Sequence, residues 1–427
     1  MSLFGAMSTA VSGLSAQAAA FTNISDNTAN SQTIGYKGVD TNFLDFLTAS
    51  SATANQSGSV VTTPGYTNEL QGTIDQSDDP LAMAINGQGM FAVSQQNGST
   101  GSGAPTFQTQ QSYTRAGDFA LDKNGYLVNS AGETLDGWSM NPATGTLNTS
   151  ALAPIQVPET QLPPVATANV SLVANVPSTP TASSNLASSV QVYDSTGNTH
   201  QLDTTWSQTG TNAWTLSLSS PDNQPAAAIG SVNVTFNPNG TLATLSGATG
   251  SATVGGSATS AAVTLSPTFG GTAQNISLNL GTFGGTNGVT QYAGTDYNLE
   301  STSQDGAAAG SFTGVSTAST GVVTANYTNG QSVAIAQVPI ITFANEDALQ
   351  SQSGQAFTAT TNSGVAIAQG QSQNSAGGLV IGSTESSNVD IATELSKLIV
   401  AQQAYGANAK VIATANQLLQ TTMDIKQ

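Results

Sequence analysis

Residues 387–420 read SNVDIATELSKLIVAQQAYGANAKVIATANQLLQ. Ile391, Leu395, Leu398, Tyr405, Ile412 and Leu419 fall on a 4-3 spacing, with Gln402, Ala409, Asn416 and Met423 completing it. That period predicts an α-helix with a narrow apolar seam of the kind that faces another helix. From Ile391 to Met423 it would run about 50 Å at 1.5 Å per residue. Ser387 or Asn388 is expected to cap it. Asp390 and Glu394 suit the positive end of the helix dipole, and Lys426 the negative end. Gln402 and Asn416 in the seam would fix register at some cost in stability.

The other end of the chain has the same design. Over residues 4–28, Phe4, Met7, Val11, Leu14, Ala18 and Phe21 alternate in steps of three and four, and Ser25 and Thr28 continue the register. A lone seam of this kind cannot be buried by a β domain. The nearest matching stripe is the other terminal helix, in the same chain or in a neighbour. Residues 1–30 and 385–427 are therefore read as one helical, coiled-coil-like assembly domain. Isolated helices need packing partners in water, so they are expected to order on assembly.

Between the ends the pattern is β. Asn-Gly or Asp-Gly recurs at 86–87, 97–98, 124–125, 136–137, 239–240, 305–306 and 329–330, the pair favoured at the centre of tight hairpin turns. Trp214, Leu216 and Leu218 alternate with polar residues, as do Val232, Val234 and Phe236, and Ile276, Leu278 and Leu280. Each run reads as a strand with one buried face. The fold class is α+β, mainly β: a nested multidomain subunit with terminal helices and two β-sandwich or barrel-like domains. Residues 70–150 and 285–370 form a discontinuous inner domain and residues 151–284 an outer one, with linkers at 31–69 and 371–384.

Composition narrows the function. Only 7% of the 427 residues are charged, and the net charge is −18, which disfavours nucleic acid and anionic membrane as partners. The six cations are scattered along the chain, so no basic patch forms from adjacent positions. With no cysteine, disulfides and thiolate metal sites are excluded. No run of about 18 apolar residues suggests membrane insertion. The first residues lack the basic, continuously apolar layout of a cleaved signal, which leaves export by a route that reads none. Gly87-x-Gly89 precedes a β-like run and lacks the third glycine of a dinucleotide loop. Asp75, Asp78 and Asp79 do not have calcium-loop spacing. His200, the single histidine, has no nucleophile elbow to serve. No catalytic residue, metal site or cofactor is expected, and the chain is read as a structural protein and not an enzyme.

SGLSAQAAAFTNISDNTANSQTIGYK (Ser12–Lys37) and the 387–420 stretch together resemble the two end signatures of bacterial flagellar rod and hook proteins. LAMAINGQGMFAV (Leu81–Val93) and YTRAGDFALDKNGYLVNSAGETLDGW (Tyr113–Trp138) resemble that family's shared β motif. VQVYDSTGNTHQLDTTW (Val190–Trp206) resembles a hook-type outer domain, and GVTQYAGTDYNLESTSQDGAAAGSFTGVS (Gly288–Ser316) its return to the inner one. The resemblance implies an extracellular homopolymer, exported by the flagellar type III apparatus. It would form a curved helical tube that carries motor torque from rod to filament like a universal joint. Its partners would be neighbouring subunits, rod, hook-cap and hook–filament junction proteins, and that export apparatus. A distal rod protein forming a stiff tube is the alternative within the family. A secreted β-rich adhesin or carbohydrate-binding module is the alternative outside it, although Trp138, Trp206 and Trp214 are few for a sugar-binding face.

Overall fold

A computed structural model describes residues 3–51, 54–99, 105–141, 144–181, 186–257, 259–370 and 377–424. The chain is mainly β and divides into two compact units. One comprises Met1–Glu159, Gly314–Asn326 and Ser332–Gln427; the other comprises Thr160–Thr313 and Tyr327–Gln331.

In the first unit, helix α1 (Leu3–Ala29) leads into an antiparallel hairpin of β1 (Val39–Ser51) and β2 (Ala54–Tyr66), with Val39 opposite Tyr66 and Ser51 opposite Ala54. Residues 31–69 are therefore not a linker. The hairpin lies along α1, where Ser12 Oγ accepts from the Val60 amide at 3.0 Å and Asn23 Nδ2 donates to Thr41 Oγ1 at 2.8 Å. Phe43, Leu44, Phe46 and Val61 stay exposed. Among the described side chains of this hairpin none is buried, and its strands lack the apolar alternation that betrays most strands.

Strands β3 (Ile74–Gln76) and β4 (Met83–Gly87) pair with Ser383–Glu385 and Gly377–Ile381. The expected 371–384 linker thus carries most of two strands; its residues 371–376 lie outside the described ones. These pairings set the segment before the carboxyl-terminal helix against residues 74–87, and the segment after α1 joins it where the Gly35 amide donates to the Glu385 carbonyl at 2.8 Å. Beyond them, β5 (Phe91–Ser99) sits within a sheet that also holds Ser112–Thr114, Glu133–Ser139, Val322–Tyr327, Ser332–Gln337 and Ala356–Thr358. Met83, Ile85, Phe91, Phe119, Leu127, Leu135 and Ile340 fill the core beneath it.

In the second unit a meander runs 187–193, 199–210, 213–219, 228–236, 242–250. A second sheet contains Asn169–Asn175, Ala252–Gly256, Ser260–Leu265 and Ile276–Thr282. Both sheets contribute to one apolar core, where Trp206, Trp214, Leu216, Val232, Val234, Ile276 and Leu278 are buried. The alternation read from the sequence places these side chains inward. Asn298–Gln304, almost wholly exposed, pairs with Asn169–Asn175, as does Val289–Thr290. Residue 285, expected to start the return to the inner domain, therefore falls inside this unit. His200 has its ring stacked on Phe269 at 4.0 Å and its two nitrogens 3.1 Å from Asp222 and 3.3 Å from Asp194.

The Asn-Gly turns also differ from expectation. Gly125, Gly240 and Gly330 take positive φ, and their amides donate to Asp122, Asn237 and Tyr327 at 3.0, 2.9 and 3.1 Å. Glycine is thus the fourth residue of each turn, not one of its two central residues, and provides the left-handed exit from it. Asp136-Gly137 is no turn at all but lies inside the strand Glu133–Ser139.

Leu216, fully buried, and Leu299, 38% exposed, make a contrasting pair. Leu216→Ala should cost about 2–5 kcal/mol of unfolding free energy. Leu299→Ala should change it by less than about 0.5 kcal/mol. Urea denaturation followed by tryptophan fluorescence will compare them.

Candidate assembly site at the paired chain ends

Helix α2 (Ile391–Asp424) starts at Asp390, whose carboxylate accepts the Thr393 amide at 2.7 Å. That is an N-cap, and the bond from Thr393 holds the Asp390 carboxyl below its ordinary value. The cap is therefore neither Ser387 nor Asn388. Ser387 Oγ accepts from Val389, and Asn388 binds Gly38, Thr67 and Leu70 at the base of the helices. Lys426 lies outside the described residues.

The two helices pack antiparallel in one chain, so the packing partner each was expected to gain on assembly is already present in a single subunit. Gly13 lies against Asn408, Phe21 meets Tyr405 edge to face at 6.1 Å, and Asn27 bonds Glu394. The buried seam differs from the one the sequence suggests. On α1 the rows Gly13, Ala20, Asn27 and Ala10, Gln17, Ile24 face inward, with Gln17 half-buried. Each stands one residue before the expected rows of Leu14 and Phe21 and of Val11 and Ala18. On α2 the expected row Leu398, Ile412, Leu419 is half-buried, while Tyr405 is 42% exposed. The other row is again displaced by one: Glu394, Ala401, Asn408 and Ala415 replace Leu395, Gln402, Ala409 and Asn416. One residue is about 100° around a helix, so much of the large apolar surface turns away from the partner helix.

Size explains the choice. A Cβ on Gly13 would lie 2.8 Å from Asn408 Nδ2, so the helices approach too closely for the bulkier rows. Phe4, Val11, Ile391, Leu395, Tyr405 and Met423 of the predicted set remain exposed, at 42–72%. Met7, Leu14 and Phe21 are half-buried. Ile399, Val400, Val411 and Leu418 add exposed apolar surface that a strict two-row reading misses. A groove of about 580 Å³ runs between α1, β1 and α2, bounded by Ile24, Phe43, Val400 and Ala401, with Asp40, Glu394 and Lys397 at its polar part.

At the base of the helices polar groups converge. Asn27, 2% exposed, uses both ends of its amide: Oδ1 accepts from the Val39 amide and Tyr36 hydroxyl at 2.9 and 3.2 Å, and Nδ2 donates to Val39 O and Glu394 at 3.1 and 3.2 Å. Lys397 bridges Glu394 and Asp40. Partial burial opposes its charge, but those two carboxylates raise its pKa above the ordinary value. Deeper lies a buried cluster. Lys37 Nζ is 2.7 Å from Glu385, Arg115 Nη1 is 3.0 Å from Glu385, and Arg115 Nη2 is 3.9 Å from Glu346, all with side chains at most 4% exposed. Burial lowers the Lys37 pKa against the pull of Glu385, and raises that of Glu346 against Arg115. Positions 37, 115, 346 and 385 are too far apart in sequence for any local pattern to show this; Lys37 and Glu385 stand out only as charges in a chain nearly without them.

Three family models match: flagellar hook protein FlgE/F/G D1 domain over residues 84–175, flagellar basal body protein FlaE D2 domain over 161–307, and flagellar basal body rod FlgEFG protein C-terminal over 381–425. The flagellar hook protein FlgE of Brucella abortus is 34% identical, with both chains covered in full. That of Salmonella typhimurium is 33% identical over 98% of this chain and 99% of its own. The crystal structure of Helicobacter pylori flagellar hook protein FlgE2 overlaps 71% of this chain and 98% of that one at 14% identity and a TM-score of 0.49. With paired terminal helices, a β middle and relatives matched from end to end, the chain belongs to the flagellar hook protein FlgE family.

Proposed function

We propose that this protein is the structural subunit of a bacterial flagellar hook, and that its paired terminal helices are the surface through which copies polymerise. The observation that carries this is the side-chain distribution on the helix pair. Small residues hold the closest approach within one chain, several large apolar ones are half-buried beside it, and others, Phe4, Val11, Ile391, Leu395 and Met423 among them, stay exposed. Large apolar side chains left exposed in such number on one helix pair point to an interaction surface. The carboxyl-terminal helix falls within a segment that relatives of the rod and hook share.

On this reading the assembly residues are Phe4, Met7, Val11, Leu14 and Phe21 on α1, and Ile391, Leu395, Leu398, Tyr405, Ile412 and Leu419 on α2. Those half-buried in the pair hold the helices together, and the exposed ones meet neighbouring subunits. The polymer is a curved extracellular tube that transmits torque. Rod, cap and hook–filament junction proteins adjoin it, and the flagellar export apparatus delivers its subunits. Residues 1–30 and 385–427 form the helical assembly domain, and the two sheets around one core support a sandwich-like reading of the second unit. Electron microscopy of the purified polymer tests the assignment: curved tubes are expected, and straight, stiff ones would indicate a rod.

Two substitutions separate the roles of the faces. Leu395 is 48% exposed, so Leu395→Asp should leave monomer stability within about 0.5 kcal/mol of the parent. Burying the exposed half of this leucine at the intersubunit contact is worth roughly half of the about 1.5–3 kcal/mol for a whole side chain, so its loss should raise the critical concentration for polymerisation at least about 3–10-fold. Sedimentation of polymer across a concentration series reads that shift. Gly13→Leu acts on the inner face. It should wedge the helices apart and cost about 1–3 kcal/mol, lowering the melting temperature of the helical signal in far-UV circular dichroism even where no polymer forms.

A further inference from the structure

None of the four buried charges at the base of the helices lies on α1 or α2. Lys37 follows α1, Glu385 precedes α2, and Arg115 and Glu346 come from the β part of the same unit. Burying two ion pairs is a poor way to gain stability, since apolar residues of similar size often do as well or better. Their directional bonds do something apolar packing does not. Glu385 Oε1 also accepts the Gly72 amide at 2.9 Å, and its backbone carbonyl accepts that of Gly35 at 2.8 Å. Glu346 Oε1 accepts from the Gly89 amide at 2.9 Å, Arg115 Nη2 donates to Gly87 O at 2.9 Å, and Lys37 Nζ donates to Leu70 O. The segments leaving and entering the helices are thereby tied to each other and to the loops around β4.

We propose that Lys37, Arg115, Glu346 and Glu385 form the joint that fixes the direction in which the terminal helix pair leaves the β part of its unit. The four are positioning residues. The proposal extends the assembly reading, because that direction decides where a neighbour's helices must lie, but its test needs no polymer.

The native chain has no cysteine, so Gln403→Cys on α2 and Ser130→Cys on the β part, both exposed positions, give a unique pair of nitroxide labels. Pulsed electron paramagnetic resonance on the monomer should show a narrow distance distribution. Lys37→Met with Glu385→Gln removes one charge of each sign and should broaden it at least about twofold, with the near-UV circular dichroism of the β part retained. Arg115→Lys keeps the charge but loses the planar fork, and should broaden it less. An unchanged distribution in the folded double variant overturns the proposal, as does a broad distribution in the parent. If both variants lose the near-UV signal, the cluster is a stability element and the proposal also falls. Failure of the parent chain to polymerise while its monomer distribution is narrow would instead count against the assembly reading alone.

Discussion

Three of the chain's six cations, Lys37, Arg115 and Lys397, lie where its two terminal segments meet, and each is paired with a carboxylate there. Closing the ends on one another is the constraint on which the rest of the first unit depends. Once Glu385 is held by Lys37 and Arg115, the strand at Ser383–Glu385 aligns with β3 and the one at Gly377–Ile381 with β4. The two helices then start from a common base, where Asn27 joins α1, β1 and α2. A chain with so little charge has few other means of fixing orientation, because hydroxyl and amide surfaces make weaker and less directional contacts than charge-assisted bonds.

From that base upward small side chains hold the closest approach of the helices, with Met7, Leu14, Phe21, Leu398, Ile412 and Leu419 half-buried. Ala10, Gly13, Ala20, Ala401 and Ala415 are buried. Burying so little apolar area contributes little by transfer from water, so the pair gains mainly from close approach and many small dispersion contacts. Phe4, Val11, Ile391, Leu395, Ile399, Val400, Leu418 and Met423 remain exposed on the two helices. The exposed Phe43, Leu44, Phe46 and Val61 of the hairpin lie on the same unit.

Much of this is legible in the sequence because its physics is local. Helical period at both ends, alternation around Trp214, Val232 and Ile276, and the absence of cofactor motifs each need only a short window. The departures share a cause as well. Residues 39–66 read as a linker because a hairpin with exposed faces has no alternation to show. The seam reads one residue too far along α1 because the period follows the largest apolar residues, whereas close helix approach selects the smallest. Gly13, Ala16 and Ala20 are visible in the sequence, but only the facing Asn408 explains why Gly13 lies inside. The charge cluster joins residues up to 348 apart in sequence, a distance over which one sequence offers no period.

The central claim is that the outward face of the helix pair is the contact between subunits. Hydroxyl-radical footprinting of the full chain as monomer and as polymer tests it directly, because Phe4, Leu395, Tyr405 and Met423 are oxidisable and exposed in the monomer. The account predicts strong protection of these four side chains on polymerisation, with exposed Tyr292 of the second unit as a comparison outside the helix pair. Oxidation of the four at the monomer's rate within intact tubes would contradict it.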